Sequence, residues 1–288
     1  MKPTVTPGGG LFGPRSITWR IHTEAPAWPA VVRAFQLQAL HPRTIRGLVQ
    51  NFPLDDQESA AAWLKRRLGF IALRAFGTRE QAEQACGQAR EMHARLVGLD
   101  TGTGTLFRLG EPECLRWSHC TEVASHLEIA RLSGVALTPG ERDAYVAEQR
   151  RAARLMGVDD APGSAAELDD HIARMRPRLS ATGEARAVLR LLVSLRPSLR
   201  PPALFAPPLG PGSLPAVGAL AFATLPEWAG RMYGRPGDAA ARYAAGTALK
   251  ALRAAASAMP ERLAAPEIRA ARALMRAATR TREADVAA

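Results

Sequence analysis

Prolines, glycines and helix-capping residues divide this sequence into helix-length segments, and their spacing limits the fold more than any other feature. Ser59 precedes a segment that stops at Gly77, and Thr78 then begins a segment that stops at Gly98. Serine and threonine favour helix starts, whereas glycine favours helix ends. No stretch of useful length alternates apolar and polar residues as a half-buried strand does, and no repeat of 20–50 residues occurs. The pattern predicts an all-α protein.

About ten helices are predicted in a single domain. They cover residues 26–40, 59–76, 79–97, 112–132, 140–156, 164–176, 182–195, 214–233, 238–258 and 266–281. Residues 100–110 are predicted as a turn-rich loop. We expect the domain to span residues 11–281, with disordered ends at 1–10 and 282–288.

The uncharged stretch 201–226 is long enough to cross a bilayer, but it contains seven prolines. A helix so interrupted cannot complete its backbone hydrogen bonds in lipid. We therefore interpret the stretch as a connection into a buried helix, and membrane contact is not expected. Because residues 1–10 also lack the apolar core of a signal peptide, we expect a cytoplasmic protein.

The composition excludes several classes of protein. The chain has 288 residues, 47% of them hydrophobic, which is enough apolar material for a core and excludes disorder of the whole chain. Three cysteines without a CxxC motif exclude a disulfide scaffold and a four-cysteine zinc site. The net charge of +11 is spread along the chain, so a solvated basic surface is favoured over nucleic-acid binding, which would predict a steep salt dependence of DNA retention.

One face of a predicted helix carries a row of small residues followed by a histidine. With residues 79–97 on a helix, this stripe contains Ala82, Ala85, Cys86, Ala89, His93 and Val97. A flat macrocycle stacked beside a helix needs such a cleared surface, and imidazole is a common axial ligand of haem iron. His93 is therefore a candidate ligand. The alternative for His93 is a core histidine bonded to a carbonyl, and the alternative for Cys86 is small-residue packing.

A second polar group lies on the predicted helix 112–132. His119, Glu122 and His126 share one face because they are spaced at i, i+3 and i+7. Histidines and a carboxylate on one face are typical of a non-haem metal site, but a di-iron bundle needs matching motifs from a second helix, and the sequence offers none. A partly buried polar face is the favoured alternative.

Two further positions offer polar groups for a pocket. His41 precedes Pro42 at the end of the first predicted helix, where a histidine is favourable beside the terminal carbonyls. Arg66 and Arg67 lie in mid-helix, one turn before Phe70. Arginine pairs well with carboxylates and could hold a haem propionate, with a solvated helix face as the alternative.

Seven segments, in order from about residue 11 to residue 235, carry a resemblance to a known family. They are Leu11-Phe12-Gly13-Pro14 with Thr18-Trp19-Arg20, Gln38-Ala39-Leu40-His41-Pro42, Phe76-Gly77-Thr78-Arg79-Glu80-Gln81-Ala82-Glu83, Arg90-Glu91-Met92-His93-Ala94-Arg95, Trp117-Ser118-His119, Tyr145-Val146-Ala147-Glu148, and Leu225-Pro226-Glu227-Trp228 with Met232-Tyr233-Gly234. Together they resemble the catalytic domain shared by latex clearing proteins (rubber oxygenases) and MpaB-type oxygenases.

The resemblance implies an all-helical haem b protein that activates dioxygen. In latex clearing proteins the proximal iron ligand is the histidine of an Arg-x-x-His-Ala segment, which corresponds to His93 here. The distal Arg-x-x-Lys-Thr pattern of those proteins is altered, because Trp63, Arg66 and Arg67 stand at its three defined positions. Arginine stays protonated and is a poor iron ligand. The resemblance therefore implies the family, but not the cleavage of rubber.

The hypothesis from sequence is a haem b-dependent oxidoreductase of oxygenase type that acts with dioxygen on a small or medium apolar metabolite. Its predicted iron ligand is His93, its predicted catalytic residues are Arg66, Arg67 and His119, and its predicted cofactor-binding residues are His93, Arg66, Arg67, His41, Cys86 and Ala89. The alternative is a family member that binds haem or an apolar ligand without oxygenase activity.

Overall fold

Thirteen helices and one two-stranded hairpin form the part of the chain that the computed structural model describes, which is residues 2–24, 27–52, 54, 57–194 and 213–287. In chain order the elements are α1 (Ile17–His22), α2 (Ala27–Gln38), α3 (Pro42–Asn51), α4 (Gln57–Phe76), α5 (Arg79–Arg95), β1 (Val97–Asp100), β2 (Thr105–Arg108), α6 (Pro112–Leu132), α7 (Pro139–Leu155), α8 (Ala165–Met175), α9 (Gly183–Ser194), α10 (Ser213–Ala223), α11 (Glu227–Met232), α12 (Ala239–Ala258) and α13 (Pro266–Ala287). The prediction of an all-α fold is confirmed.

Helix α2 lies at the centre of the fold, and all twelve of its residues are buried. Its most extensive contact is with α6, and α10 packs against it as well. Two of its buried polar side chains bond to the backbone of neighbouring helices: Gln38 donates from Nε2 to the Ser118 carbonyl at 3.0 Å, and Gln36 donates from Nε2 to the Gly218 carbonyl at 3.0 Å. Buried polar groups are tolerated when they are bonded in this way.

The starts of α5 and α7 follow the capping signals of the sequence, whereas Ser59, expected at a helix start, lies inside α4, which begins at Gln57. Thr78 accepts a hydrogen bond from the Gln81 amide, and the Gln81 side chain accepts one from the Thr78 amide, which forms a capping box at the start of α5. Thr138 and Glu141 form the same arrangement at the start of α7. After α6 and α7, Gly134 and Gly157 adopt positive φ angles of 82° and 80°, a conformation that glycine adopts without steric cost.

Two predicted boundaries were wrong near prolines. His41-Pro42 was expected to end a helix, but it also begins α3, because His41 Nδ1 accepts a hydrogen bond from the Thr44 amide and Pro42 occupies the first helical turn. The predicted helix 214–233 is two helices, α10 and α11, because Pro226 caps the second one. Residues 201–212 of the predicted connection lie outside the described part of the chain.

The predicted loop 100–110 contains a strand of a short hairpin. Strand β1 pairs with β2 in antiparallel register, with Val97 opposite Arg108 and Asp100 opposite Thr105. Gly104, with a φ of 69°, closes the turn by donating its amide to the Asp100 carbonyl at 2.8 Å. In β1 the exposed positions hold Val97 and Leu99 and the buried positions hold Gly98 and Asp100, so the strand lacks the usual alternation of buried apolar and exposed polar residues. Helix α1, of six residues, was also missed.

The ends of the chain have described structure within the predicted disordered segments. The Thr4 amide donates to Gln81 Oε1 at 2.8 Å, and α13 extends to Ala287. The limits of the domain remain a prediction.

No helix among the described residues combines the length and apolarity that a transmembrane span requires.

The cap of α5 has a measurable contribution to stability. Replacing Thr78 by alanine removes the acceptor of the Gln81 amide, so we expect Thr78→Ala to lower the free energy of unfolding by about 1 kcal/mol. Chemical denaturation measures this change. The matched control is Thr247→Ala on α12, where the threonine is exposed and bonds only within its own helix. A Thr78→Ala variant as stable as the wild type would contradict the assigned cap.

Candidate functional site

Five helices, α2 to α6, surround a cavity of about 280 Å³, here called the first cavity. Its wall is largely apolar, with the polar groups concentrated on α4 and α6. The described lining residues are Phe35, Gln38, Arg43, Thr44, Leu48, Phe52, Trp63, Arg66, Arg67, Phe70, Arg74, Ala89, Met92, His93, Leu109, Cys114, Leu115, Ser118, His119, Glu122 and Met156. The structure therefore brings together His93, Arg66, Arg67, His119 and Ala89 from the predicted site.

Helix α4 turns one face towards the first cavity. Trp63, Arg66, Arg67, Phe70 and Arg74 are spaced at i, i+3, i+4, i+7 and i+11, which places them on one side of a helix. The ring of Phe70 lies under two guanidinium groups, with centroid distances of 5.9 Å to Arg67 and 5.2 Å to Arg74. Cation–π contacts of this kind fix the side chains at the cavity wall.

His93 lies in the last turn of α5 and opens on the first cavity. Its Nδ1 atom is buried and has no hydrogen-bond partner, and no described side chain or carbonyl bonds to the ring. Burial and the nearby charge of Arg67 lower the pKa of His93 to about 4. The imidazole is therefore neutral at pH 7, which is the form that binds a metal.

The strongest electrostatic feature of the first cavity is Glu122, a buried carboxylate on α6. Its Oε2 accepts a hydrogen bond from Arg67 Nη2 at 2.9 Å, and its Oε1 accepts one from the buried Arg74. Burial alone would raise the pKa of Glu122, but the guanidinium groups of Arg74 and Arg67 lower it to about 2. One negative and two positive charges leave this group with a net charge of +1.

Arg66 differs from its neighbour Arg67. Its side chain is exposed and lines the first cavity, and no described carboxylate pairs with it. Arg67 is already engaged by Glu122. Of the two arginines predicted from the sequence, Arg66 is the one whose donors remain available to a carboxylate entering the cavity.

His119 lines the same cavity one turn before Glu122. Burial and the charge of Arg74 lower its pKa to about 4, so it too is neutral at pH 7. Neutral imidazole carries one donor and one acceptor nitrogen. His119 can therefore accept or donate a hydrogen bond but does not add charge to the wall.

Two other candidates lie outside the described lining of the first cavity. His41 caps α3, and its Nε2 lies 3.2 Å from Glu113 Oε1. Cys86 is fully buried on α5, and on the same stripe Ala82 packs against Trp19 and Phe76. Of the small residues predicted on this stripe, Ala89 is the one in the described lining of the first cavity.

The three residues considered as a non-haem metal set on α6 point to different partners. His119 lines the first cavity, whereas Glu122 is paired with arginines. His126 donates from Nδ1 to the Glu122 carbonyl at 2.9 Å and stacks on His22 with a centroid distance of 4.3 Å. Among the described residues, no group of three histidines, cysteines or acids is arranged to hold a metal ion.

The sequence reasoning missed Arg74 and the pairing role of Glu122. A signal was present, because Arg74 follows Arg67 by seven residues and so lies on the same helical face as Arg67 and Phe70. A glutamate within a buried helix face also requires a cation. What the sequence could not supply was the crossing of α4 and α6 that brings these groups together.

The fold and cavity define an all-helical protein with a neutral histidine and an arginine-rich wall at an apolar chamber. Comparison with family models identifies its class: the catalytic domain described as "ER-bound oxygenase mpaB/B'/Rubber oxygenase" matches residues 19–259. The chain belongs to this family of oxygenase domains. Neither the comparison with curated proteins nor the comparison with solved structures gives a match.

Removing the charge of Glu122 would leave two guanidinium groups without their counterion. We expect Glu122→Gln to lower the free energy of unfolding by about 3–5 kcal/mol, the usual cost of breaking a buried ion pair. The control is Glu91→Gln, since Glu91 is exposed and pairs only with Arg95 on its own helix; its effect should be far smaller. Urea denaturation compares the two variants, and equal stabilities would contradict the role of Glu122.

The same pair has a pH signature. The pKa of Glu122 is about 2 in the folded chain, below its ordinary value of 4.5. Its stabilisation is therefore complete above pH 4.5 and is lost as the pH falls towards 2. Over this window the wild type should lose more stability than Glu122→Gln.

Proposed function

We propose that the protein is a haem b-dependent oxidoreductase of oxygenase type that acts on a small or medium apolar metabolite. The observation that carries this proposal is His93, whose neutral and unpartnered ring opens on an apolar cavity in a chain of the oxygenase family. The proposal assigns His93 as the iron ligand. When bound, haem would supply the oxygen and redox chemistry, and the protein would supply ligation, orientation and a dry pocket.

The residues of the first cavity fit this group by their chemistry. His93 offers a neutral imidazole, and Arg66 offers a guanidinium group to a propionate. The volume of about 280 Å³ lies just below the ~300–1,000 Å³ of typical small-molecule sites. A group of the size of haem would therefore not be fully enclosed, and its charged edge would lie best at the exposed Arg66.

The apolar side chains would bind the substrate and exclude water. Phe35 and Trp63 lie with their ring centroids 4.5 Å apart, and Leu48, Phe70 and Met156 extend this surface. A wall of this kind binds an apolar molecule by removing its surface from water. It also strengthens the electrostatic interactions of the polar groups around it.

The polar wall would orient oxygen-containing groups next to the substrate. Arg67 and Arg74 keep their protons at every physiological pH, and Glu122 holds both in place. Arg67 therefore provides a fixed positive charge, and the neutral His119 provides a hydrogen-bonding nitrogen. Arg66, Arg67 and His119 remain the proposed catalytic residues, with dioxygen as co-substrate.

A family member that binds haem or an apolar ligand without oxygenase activity is the second candidate. The observation that favours it is the pairing of Arg67 with Glu122, because a donor engaged by a carboxylate is less available to an oxygen-containing ligand. Haem binding without oxygen-dependent turnover of any apolar substrate would favour this second candidate.

The cytoplasmic location of the protein remains a prediction.

Replacing His93 tests the proposed iron ligand. We expect purified wild-type protein, expressed with ample haem supply, to show a Soret absorption band that collapses or shifts in His93→Ala. The control is His41→Asn, because asparagine also caps helices and His41 lies outside the described cavity lining. A haem-free wild type, or a Soret band that His93→Ala leaves unchanged, would contradict the proposal.

Replacing Arg66 tests the proposed propionate contact. Loss of one charge-assisted hydrogen bond should weaken haem binding about tenfold in Arg66→Gln, without moving the Soret maximum, since the iron ligand is intact. Haem titration of the apoprotein measures this change. Arg95→Gln, an exposed arginine outside the described cavity lining, should bind haem as the wild type does, and equal weakening in both variants would refute a specific role for Arg66.

A further inference from the structure

A larger cavity, here called the second cavity, lies on the opposite side of α6. Its volume is about 510 Å³. Leu115, Ser118, His119 and Glu122 of α6 face the first cavity, whereas Ala124, Leu127, Glu128 and Arg131 face the second. At 100° per residue these two sets are centred about half a turn of the helix apart. The oxygenase proposal uses no residue of the second cavity.

Positive charge dominates the second cavity. Five arginines line it, against two acids, Glu128 and Asp169; the arginines are Arg33, Arg131, Arg142, Arg176 and Arg242. Glu128 is already saturated, because Arg131 binds it through two hydrogen bonds of 2.9 Å and Arg242 binds it as well. This leaves an excess of three positive charges around the second cavity.

Arg33 is the deepest of these cations and is 95% buried (5% exposed). Its Nε donates to the Thr224 carbonyl at 3.2 Å, and its Nη1 donates to Ser125 Oγ at 2.9 Å. No described acceptor pairs with its Nη2 atom. Burial lowers the pKa of Arg33 to about 10, with Arg242 and Arg131 lowering it further against the opposing effect of Glu128. The buried charge is therefore incompletely compensated.

Arg142 and Arg176 are exposed and stand without a described carboxylate partner. Arg176 lies over the ring of Trp228, with 5.3 Å between its guanidinium carbon and the ring centroid. Planar guanidinium groups that are held in this way and still have free donors are well suited to a carboxylate or phosphate oxygen.

The rest of the lining is apolar. Leucines, isoleucine, valine and tryptophan from five segments make up this surface; they are Leu37, Leu127, Val135, Leu137, Leu168, Ile172 and Trp228. A free inorganic anion would gain nothing from these side chains, whereas a molecule with an apolar body would bury its surface against them.

We propose that the second cavity is a binding site for an amphipathic anion, a molecule with one carboxylate or phosphate head and an apolar body. The head binds among Arg33, Arg142 and Arg176, and the body lies on the leucine-rich surface. A free carboxylic acid and a membrane lipid share this chemistry. We commit to the free molecule because the lining comes from α2, α6, α8, α11 and α12, among other segments, and forms a concave cavity of about 510 Å³ rather than a flat surface.

Isothermal titration calorimetry with octanoate tests the site on the full chain. Octanol has the same body without the charge, and octyltrimethylammonium has the opposite charge. We expect octanoate to bind, and the other two ligands to bind at least about tenfold more weakly. Equal binding of octanoate and octanol, or no binding of octanoate, would overturn the inference.

Variants locate the binding. Arg142→Gln with Arg176→Gln should weaken octanoate binding about tenfold or more and leave octanol unaffected. The matched control is Arg154→Gln with Arg186→Gln, two exposed arginines that line neither cavity. If octanoate binding is lost instead in Arg66→Gln, the ligand occupies the first cavity and the inference fails. A second outcome would also refute the proposal. If the wild type does not bind octanoate but sediments with phosphatidylglycerol vesicles, and the variant lacking Arg142 and Arg176 does not sediment with them, these arginines bind a lipid surface.

Discussion

Attraction between the Glu122 carboxylate and the guanidinium groups of Arg67 and Arg74 joins α6 to α4 across the interior of the protein. Two buried or half-buried cations at an apolar wall would be costly without this anion. Together the three groups fix the positions of Phe70 and of the arginine donors around the first cavity. The low pKa of His93 also depends on them, because Arg67 adds to the effect of burial. The first cavity therefore has the neutral imidazole of His93 near the fixed positive charge of Arg67.

Helix α6 carries different chemistry on its two sides. One side contributes Glu122 and His119 to a largely apolar cavity that His93 also lines, and the other contributes Glu128 to a cavity with an excess of arginine. The central helix α2 packs along α6 and is buried throughout. Gln38 of α2 donates to the Ser118 carbonyl of α6, and Gln36 donates to the Gly218 carbonyl of α10, so hydrogen bonds as well as packing join α2 to these two helices.

Much of the fold followed from local signals in the sequence. Thr78 and Thr138 mark helix starts, and Gly134 and Gly157 mark helix ends, because capping and positive φ angles are properties of single residues. His93, Arg66, Arg67 and His119 could be predicted to share a pocket from their types, their spacing and the family resemblance. Helix α3, the hairpin and the Glu122–Arg74 pair could not, since each depends on contacts between segments distant in sequence. Cys86 lies outside the described lining of the first cavity, which agrees with small-residue packing, the alternative that the sequence left open for it.

Family membership and the lining of the first cavity together support the proposal that His93 binds the iron of a haem in this chamber. The most direct measurement is a crystal structure of the haem-reconstituted protein at neutral pH. We expect density for haem in the first cavity, with iron bound by a ring nitrogen of His93 and a propionate near Arg66. Iron bound by another residue, or haem bound outside this cavity, would contradict it.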